Sequence, residues 1–156
     1  MKIEDAVRVR GDLTVIVRRA RDHRIVFRQL IRNTITFNGL HGILRLWKQD
    51  DNTAADYQIA SIRVGTGATP PTRDDPGLVT PVLTLPLISS ARQLSLPTSE
   101  LVLTATVGTS MAVGSTICEA GWFYNNGQMG GRQVHVPIDL SGLITVSYNW
   151  RLAVTT

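Results

Sequence analysis

The residues that could carry chemistry include a glycine pair followed by two prolines. Gly65-Thr66-Gly67 would suit a phosphate-binding loop, but such loops need a following Lys-Ser/Thr pair or a further glycine that opens a helix. Pro70 and Pro71 stand there instead. The pattern therefore argues against both nucleotide-binding motifs and favours a conformationally special turn.

Metal binding is poorly supported as well. Asp74 and Asp75 are adjacent and precede a proline, whereas metal-binding loops place oxygen ligands at alternating positions. One of the two aspartates is expected to cap a turn instead. His23, His41 and His135 lack the spacing of metal-ligand pairs. None of these residues predicts a metal or a cofactor.

Cys118 and Glu119 stand together inside an apolar segment. Cys118 is the only cysteine, so an internal disulfide is impossible, and we expect a buried thiol. Glu119 is expected to hold a loop or another strand by hydrogen bonds, because a general acid would need a second placed carboxylate. The sequence therefore predicts no enzyme activity, no cofactor and no small-molecule substrate.

The elements that must position these residues are mostly strands. The 156 residues fit one domain, 1–156, and the apolar residues of 144–154 alternate cleanly. Helical spacing occurs only near residues 39–48. There Leu40, Ile43, Leu44 and Trp47 fall at i, i+3, i+4 and i+7. About eight short strands with one inserted helix predict a mainly β fold, an antiparallel β-sandwich of jelly-roll-like type.

Two segments in the middle of the chain are interrupted by glycine and proline. Residues 65–77 predict an ordered loop or a surface arm. Residues 78–97 suit a sheet edge or an extended arm, and we take them as a candidate assembly arm that packs on a symmetry mate. Deleting residues 80–97 should then abolish assembly and leave a folded monomer. The candidate arm residues are Pro81, Leu83, Leu85, Pro86 and Leu87.

The positive charge lies in the first third of the chain. Residues 1–50 hold eleven Lys and Arg against five Asp and Glu, a net +6, whereas residues 51–156 carry a net −2. Even spacing in predicted strands places arginines on one wet face. This candidate docking face comprises Arg8, Arg10, Arg24 and Arg28, with Val15, Val17, Ile25 and Phe27 turned inward.

Three interpretations of the basic face stay open: a solvated surface, a docking surface for an acidic protein neighbour, and a nucleic-acid surface. The last is the least favoured, because stacking aromatics and a basic recognition helix are lacking. No apolar run reaches the roughly 18 residues of a membrane span. Residues 1–12 are charged, so no signal peptide is predicted.

Three segments of the chain carry recognisable motifs. Residues 33–40 run into the helix, residues 59–78 carry Val-Gly-Thr-Gly and a Thr/Pro/Asp-rich loop that ends in leucine, and residues 117–127 carry Glu-x-Gly before a hairpin. Together these segments resemble a family of small tailed-bacteriophage virion proteins. The chain is also distantly similar to the N-terminal module of phage tail-collar fibre proteins, which attaches fibres to the tail. Trp122-Phe123 stands where the family has Leu-Phe.

The resemblance implies a non-enzymatic virion structural protein made in the host bacterial cytoplasm. A tail-associated adaptor, collar or fibre-attachment subunit is the first expectation, a capsid cement or decoration protein is the alternative, and a nucleic-acid-binding β-domain is a further one. The expected partners are other virion proteins and copies of the chain itself, joined through β-edge and arm contacts. The structural motif comprises Gly65, Gly67, Glu119, Gly121 and Trp122.

Overall fold

The computed structural model describes residues 8–48, 54–95 and 98–155. One α-helix, α1 (Phe37–Lys48), and a short 3₁₀-helix (Ala54–Tyr57) accompany the strands. The strands are β1 (Arg8–Arg19), β2 (Ile25–Arg32), β3 (Thr34–Ile35), β4 (Ile59–Gly65), β5 (Pro81–Pro86), β6 (Ser89–Ser95), β7 (Thr98–Val107), β8 (Thr116–Tyr124), β9 (Met129–Asp139) and β10 (Ile144–Thr155).

The strands of the described residues form two five-stranded sheets. The first sheet has the order β2-β1-β10-β7-β6, and the second has the order β3-β9-β8-β4-β5. Every neighbouring pair is antiparallel. Side chains from both sheets form one apolar core. The predicted antiparallel β-sandwich with an inserted helix is therefore confirmed.

Period-two alternation explains how β1 and β10 fill the core. Alternate residues of a strand point to opposite faces, so each strand buries one set and exposes the other. The buried cross-strand pairs are Leu13 with Trp150, Val15 with Tyr148 and Val17 with Val146. This sheet face agrees with the alternation predicted for residues 144–154.

A β-bulge corrects one predicted core position. Val15 and Val17 are buried and Phe27 packs against the core, as expected. Ile25 is 49% exposed, because the pairing of β1 with β2 shifts by one residue between Val17 and Arg18. A one-residue shift turns the following side chain to the other face of the sheet, so Ile25 lies on the outer face.

The structure corrects the prediction of an assembly arm at residues 78–97. Residues 81–86 and 89–95 are the edge strands β5 and β6, which pair with β4 in the second sheet and with β7 in the first. The chain passes from one sheet to the other in the short connection between them. Leu85 is buried, and Leu83 and Leu87 pack against the core of their own domain. Deleting residues 80–97 would remove an edge strand from each sheet, so a folded monomer is not the expected product. Residues 96–97 lie outside the described part.

Helix α1 begins two residues before the predicted start because Thr36 caps it. The Thr36 hydroxyl accepts a hydrogen bond from the Gly39 N–H at 3.1 Å, which satisfies one free donor of the first turn. The same hydroxyl donates to the Met129 carbonyl at 2.7 Å and so ties the helix start to β9. Leu44, one of the four apolar residues at helical spacing, is 59% exposed. The side chain of Trp47 lies outside the described part.

Glycines let the second sheet and the helix approach each other closely. A Cβ atom on Gly39 would overlap the carbonyl oxygen of Gly130, and one on Gly130 would overlap the ring of Trp122. Trp122 is fully buried, so its ring has little room to move. The close approach requires glycine at both positions for reasons of space.

We expect Gly130→Ala to lower the free energy of unfolding by about 1–3 kcal/mol, the usual cost of overfilling a packed core. Gly77→Ala is the matched control, because a Cβ at Gly77 meets no atom within 4 Å. Urea unfolding followed by tryptophan fluorescence measures both variants. Equal midpoints for the two variants would contradict the packing described for Trp122.

Candidate functional site

The motif residues Glu119 and Gly67 meet in space, although 52 residues separate them in the sequence. The fully buried carboxylate of Glu119 accepts hydrogen bonds from three backbone N–H groups: Gly67 at 3.0 Å, Val79 at 3.1 Å and Thr80 at 2.8 Å. These groups lie at the two ends of the segment between β4 and β5. Glu119 thus closes this segment, which we call the 66–80 loop, over the outer face of the second sheet.

Arg132 of β9 completes this buried network. Its side chain is only 1% exposed, and its Nε donates to Glu119 at 2.9 Å. Its other two nitrogens reach the loop, with Nη1 2.8 Å from the Asp75 carboxylate and Nη2 2.9 Å from the Thr69 carbonyl. All three nitrogens of the guanidinium therefore hold either Glu119 or the 66–80 loop.

Asp75 caps a turn within the loop, as predicted for Asp74 or Asp75. Its carboxylate accepts hydrogen bonds from the Thr72 backbone N–H at 2.9 Å and the Thr72 hydroxyl at 2.7 Å. Partial burial alone would raise the pKa of Asp75, but the Thr72 hydrogen bonds and the Arg132 guanidinium outweigh it and lower the pKa. The Asp75 carboxylate therefore stays ionised and paired at neutral pH. Asp74 is exposed.

The two glycines of the motif provide space for the Glu119 carboxylate. A Cβ on Gly65 or on Gly67 would lie 2.6 Å from Glu119 Oε1, which is too close for a real atom. The sequence predicted a conformationally special turn, but neither glycine is among the residues with positive φ. Close approach, rather than a left-handed backbone, is what requires glycine here.

Cys118, Gly121 and Trp122 support the same strand. The buried thiol of Cys118 donates to the Thr66 carbonyl at 3.2 Å, and burial raises its pKa, which confirms the predicted buried thiol. Gly121 lies under Leu78, at the end of the loop. Trp122 points to the opposite face and fills the core. The motif thus couples the loop on one face of β8 to the core on the other.

The geometry of the Glu119–Arg132 network suits the task of holding the 66–80 loop in place. Both Glu119 oxygens are occupied by the loop and Arg132, and the carboxylate is shielded from solvent. The described residues hold no group of three or more His, Cys, Asp or Glu side chains that could bind a metal. Arg132 forms ion pairs with both Glu119 and Asp75, and this network holds the backbone of the 66–80 loop in place.

The three histidines lie in separate places. His23 is exposed in the β1–β2 turn with φ 55°, and His41 lies on α1 within hydrogen-bond distance of Arg45. His135 is buried between the sheets, with Nε2 3.0 Å from the Tyr148 hydroxyl and Nδ1 2.8 Å from the Val136 carbonyl. The contact between His135 and Tyr148 is a core hydrogen bond between the two sheets.

Burial lowers the pKa of His135 below the 6.5 of a free histidine, although the bond to Val136 opposes the shift. The unfolded chain then takes up a proton that the folded chain resists, so stability falls as pH decreases below about 6.5. We expect His135→Gln to remove this loss, which has a limit of about 1.4 kcal/mol per pH unit. Urea midpoints at pH 7.5 and 5.5 measure it, and an equal loss in both proteins would contradict it.

The outer face of the first sheet carries the predicted docking residues. Arg8, Arg10 and Arg28 are exposed on this face, and Arg32, which the prediction omitted, lies beside them. Arg24 is exposed just before β2 begins, next to the β1–β2 turn. The exposed arginines therefore extend along both strands of this hairpin. From here on, the basic face means the four sheet residues Arg8, Arg10, Arg28 and Arg32.

Charge pairing leaves part of the basic face open. Arg10 pairs with Asp12 at 3.2 Å, and on the neighbouring strand Arg151 pairs with Glu100. Within the described ranges, Arg28 has no acidic partner. Leu30, on the same face, is 68% exposed. Unpaired cations next to an exposed apolar side chain are typical of surfaces that bind another macromolecule.

Sequence reasoning singled out Glu119 but missed Arg132. The available signal was an arginine that directly follows two glycines in a segment predicted to be a hairpin. That signal did not identify the partners, since Asp75 and Glu119 lie 57 and 13 residues away. The network is assembled only when β8, β9 and the 66–80 loop come together.

No family model matches the chain, and no significant match was found among curated proteins or solved structures. No helix of the described residues is long and apolar enough to cross a membrane. The candidate site is therefore interpreted from its own geometry and from the motifs of the sequence.

Proposed function

We propose that this protein is a non-enzymatic structural subunit of a tailed-bacteriophage virion. We place it with the tail, as an adaptor, collar or fibre-attachment subunit, and propose that it binds its neighbours through the basic face and free strand edges. The phage assignment comes from the motif resemblance. The assembly role is supported by the surface of the first sheet.

One observation carries the proposal: the outer face of the first sheet presents exposed arginines beside exposed apolar side chains. Arg28 and Leu30 lie on the edge strand β2, whose outer side pairs with no other described strand. Charged side chains on an edge discourage pairing between identical edges but permit binding to an acidic partner. This surface suits a protein neighbour of opposite charge.

The motif geometry gives a second line of support. Two of the segments that carry the resemblance, 59–78 and 117–127, contact each other through the hydrogen bond between Gly67 and Glu119. Both Glu119 oxygens are engaged in holding the loop and Arg132, which suits a motif that stabilises a fold. A loop fixed by buried hydrogen bonds also gives neighbouring subunits a rigid surface.

Quantitative mass spectrometry of purified phage particles tests the proposal. We expect the chain to remain with particles after density-gradient purification, at a few to a few tens of copies for a tail component. Hundreds of copies would instead place it on the head as a cement or decoration protein. Absence from purified particles, with the chain found only in the lysate, would contradict a virion role.

A further inference from the structure

A cleft of roughly 450 Å³ opens where β1 and β3 diverge. Strand β2 pairs with β1 only as far as Arg32 opposite Asp12, and the chain then leaves the first sheet towards β3. Strand β1 itself continues to Arg8, paired on its other side with β10. The first four residues of β1 therefore extend beyond the end of β2, and the cleft occupies the position of the missing strand.

Within the described part of the chain, this overhang leaves the Val9 backbone without a partner on the β2 side. The Gly11 carbonyl accepts a hydrogen bond from the Asn33 N–H at 2.8 Å, so Gly11 points towards the β2 side. In an antiparallel strand, residues two apart direct their N–H and C=O groups to the same side. Val9 therefore directs both groups into the cleft, and none of the described residues pairs with them there. A strand added at this position could make two backbone hydrogen bonds with Val9.

The charge of the cleft lining is positive. Arg10, Arg32 and Arg73 line it, and no acidic side chain of the described residues is among the lining. Arg10 is paired with Asp12 at 3.2 Å, so Arg32 and Arg73 supply the available charge. Its apolar lining comes from Val9, Ile35 and Leu40. An incoming strand would therefore meet arginines and apolar side chains together. An extended segment can satisfy both, because its alternate side chains point in opposite directions.

We propose that this cleft binds an extended acidic segment of a neighbouring protein, which adds to the edge of β1 in line with β2. The Val9 backbone groups pair with the segment, its acidic side chains contact Arg32 and Arg73, and its alternate apolar side chains contact Ile35 and Leu40. This binding mode is β-strand addition, in which the arginines of the cleft favour an acidic segment. It rests on the proposed assembly function and names the partner class of the basic face.

A nucleic acid fits the cleft less well. Single strands bind proteins through stacked aromatic side chains together with cations, and the cleft lining contains no aromatic residue. A strand edge offers both an N–H donor and a C=O acceptor. A peptide can pair with both groups, whereas a phosphate backbone can only accept from the N–H. The geometry therefore favours a peptide.

Fluorescence anisotropy tests the proposal with a labelled decapeptide that alternates glutamate and valine. A block isomer with five glutamates followed by five valines is the peptide control. We expect the alternating peptide to bind at least about tenfold more tightly, because only it places acidic and apolar side chains on opposite sides. Hydrogen exchange should show protection of the Val9 amide when this peptide is bound.

Charge variants locate the binding site. Arg32→Glu and Arg73→Glu should each weaken binding at least about tenfold, since each turns an attraction into a repulsion. Arg21→Glu is the matched control, because Arg21 is exposed in the β1–β2 turn, away from the cleft. All three proteins are checked for unchanged urea midpoints before binding is compared.

Three results would overturn the inference: equal binding of the two peptides, no protection of Val9, or tighter binding of a single-stranded oligonucleotide that the same two variants abolish. These measurements need only the purified protein. A chain found in particles that fails to bind the peptide would remove the cleft proposal alone. A chain that binds the peptide but is absent from particles would remove the virion role alone.

Discussion

Replacing Arg132 with methionine should cost about 3–5 kcal/mol of folding free energy, the largest effect we expect from a single substitution. The methionine fills similar volume but leaves the buried Glu119 carboxylate without its cation. It also releases the Asp75 carboxylate and the Thr69 carbonyl. A buried charge without a partner is far more costly than the pair is stabilising. Urea unfolding, with hydrogen exchange at the Val79 and Thr80 amides, measures the loss.

Arg151→Met is the matched control for this substitution. It removes the same chemical group from an ion pair with Glu100, but the Arg151 side chain is 52% exposed. Exposed pairs contribute about 0–1 kcal/mol, so the control should fall well short of Arg132→Met. Equal losses from the two substitutions would contradict a stabilising role for the buried network. If Arg132→Met does not accumulate, Arg132→Lys should show an intermediate loss, because it keeps the charge but not the three contacts.

A Glu119→Gln, Arg132→Met double variant tests whether the two residues act as a unit. Once Arg132 is gone, removing the negative charge of Glu119 relieves the main penalty, so the double variant should be less destabilised than the sum of the single variants. Additive losses would mean that each residue acts independently of the other.

The proposed virion function predicts that reversing the charge of the basic face abolishes incorporation into particles without unfolding the domain. Arg8→Glu with Arg28→Glu changes two exposed residues that lack acidic partners within the described part of the chain. The free energy of unfolding of this double variant should stay within about 0.5 kcal/mol of that of the unsubstituted protein, as for most surface substitutions. Binding to an acidic neighbour should fall by at least about tenfold, since close like charges across an interface cost several kcal/mol. Complementation of a phage lacking the gene measures incorporation.

Arg21→Glu with Arg92→Glu controls for the change in net charge. Both residues are exposed, one in the β1–β2 turn and one on β6, and neither belongs to the basic face. We expect this variant to be incorporated normally. If both double variants were excluded equally from particles, the effect would come from overall charge, and the basic face would have no specific role.

Local alternation predicted most of the fold. Strand β10 buries Val146, Tyr148, Trp150 and Leu152 in register, because one sheet face packs on the core and the other meets solvent. The same alternation predicted the wrong face for Ile25, because a bulge there shifts the pairing register between β1 and β2. No short-range sequence signal marked that position.

The segment 78–97 shows why tertiary context was needed. Its prolines and apolar residues fitted an edge strand or an arm equally well, and the arm was chosen because no place for Leu85 was apparent within one domain. The structure places Leu85 in the core between the two sheets. Edge strands that join the two layers cannot be recognised before the layers themselves are known.

The candidate site was partly predictable for a similar reason. An acidic residue inside an apolar strand must find hydrogen-bond partners, and this singled out Glu119. Its partners come from the 66–80 loop and from β9, which are distant in sequence. Composition and spacing carry no information about which backbone N–H groups converge there.

Cryo-electron microscopy of intact particles tests the central claim most directly. The proposal predicts density for this β-sandwich at the tail, with the outer face of β1 and β2 against a neighbouring subunit and an added strand beside Val9. Particles that lack this density, or in which the basic face lies open to solvent while other surfaces make the contacts, would contradict it.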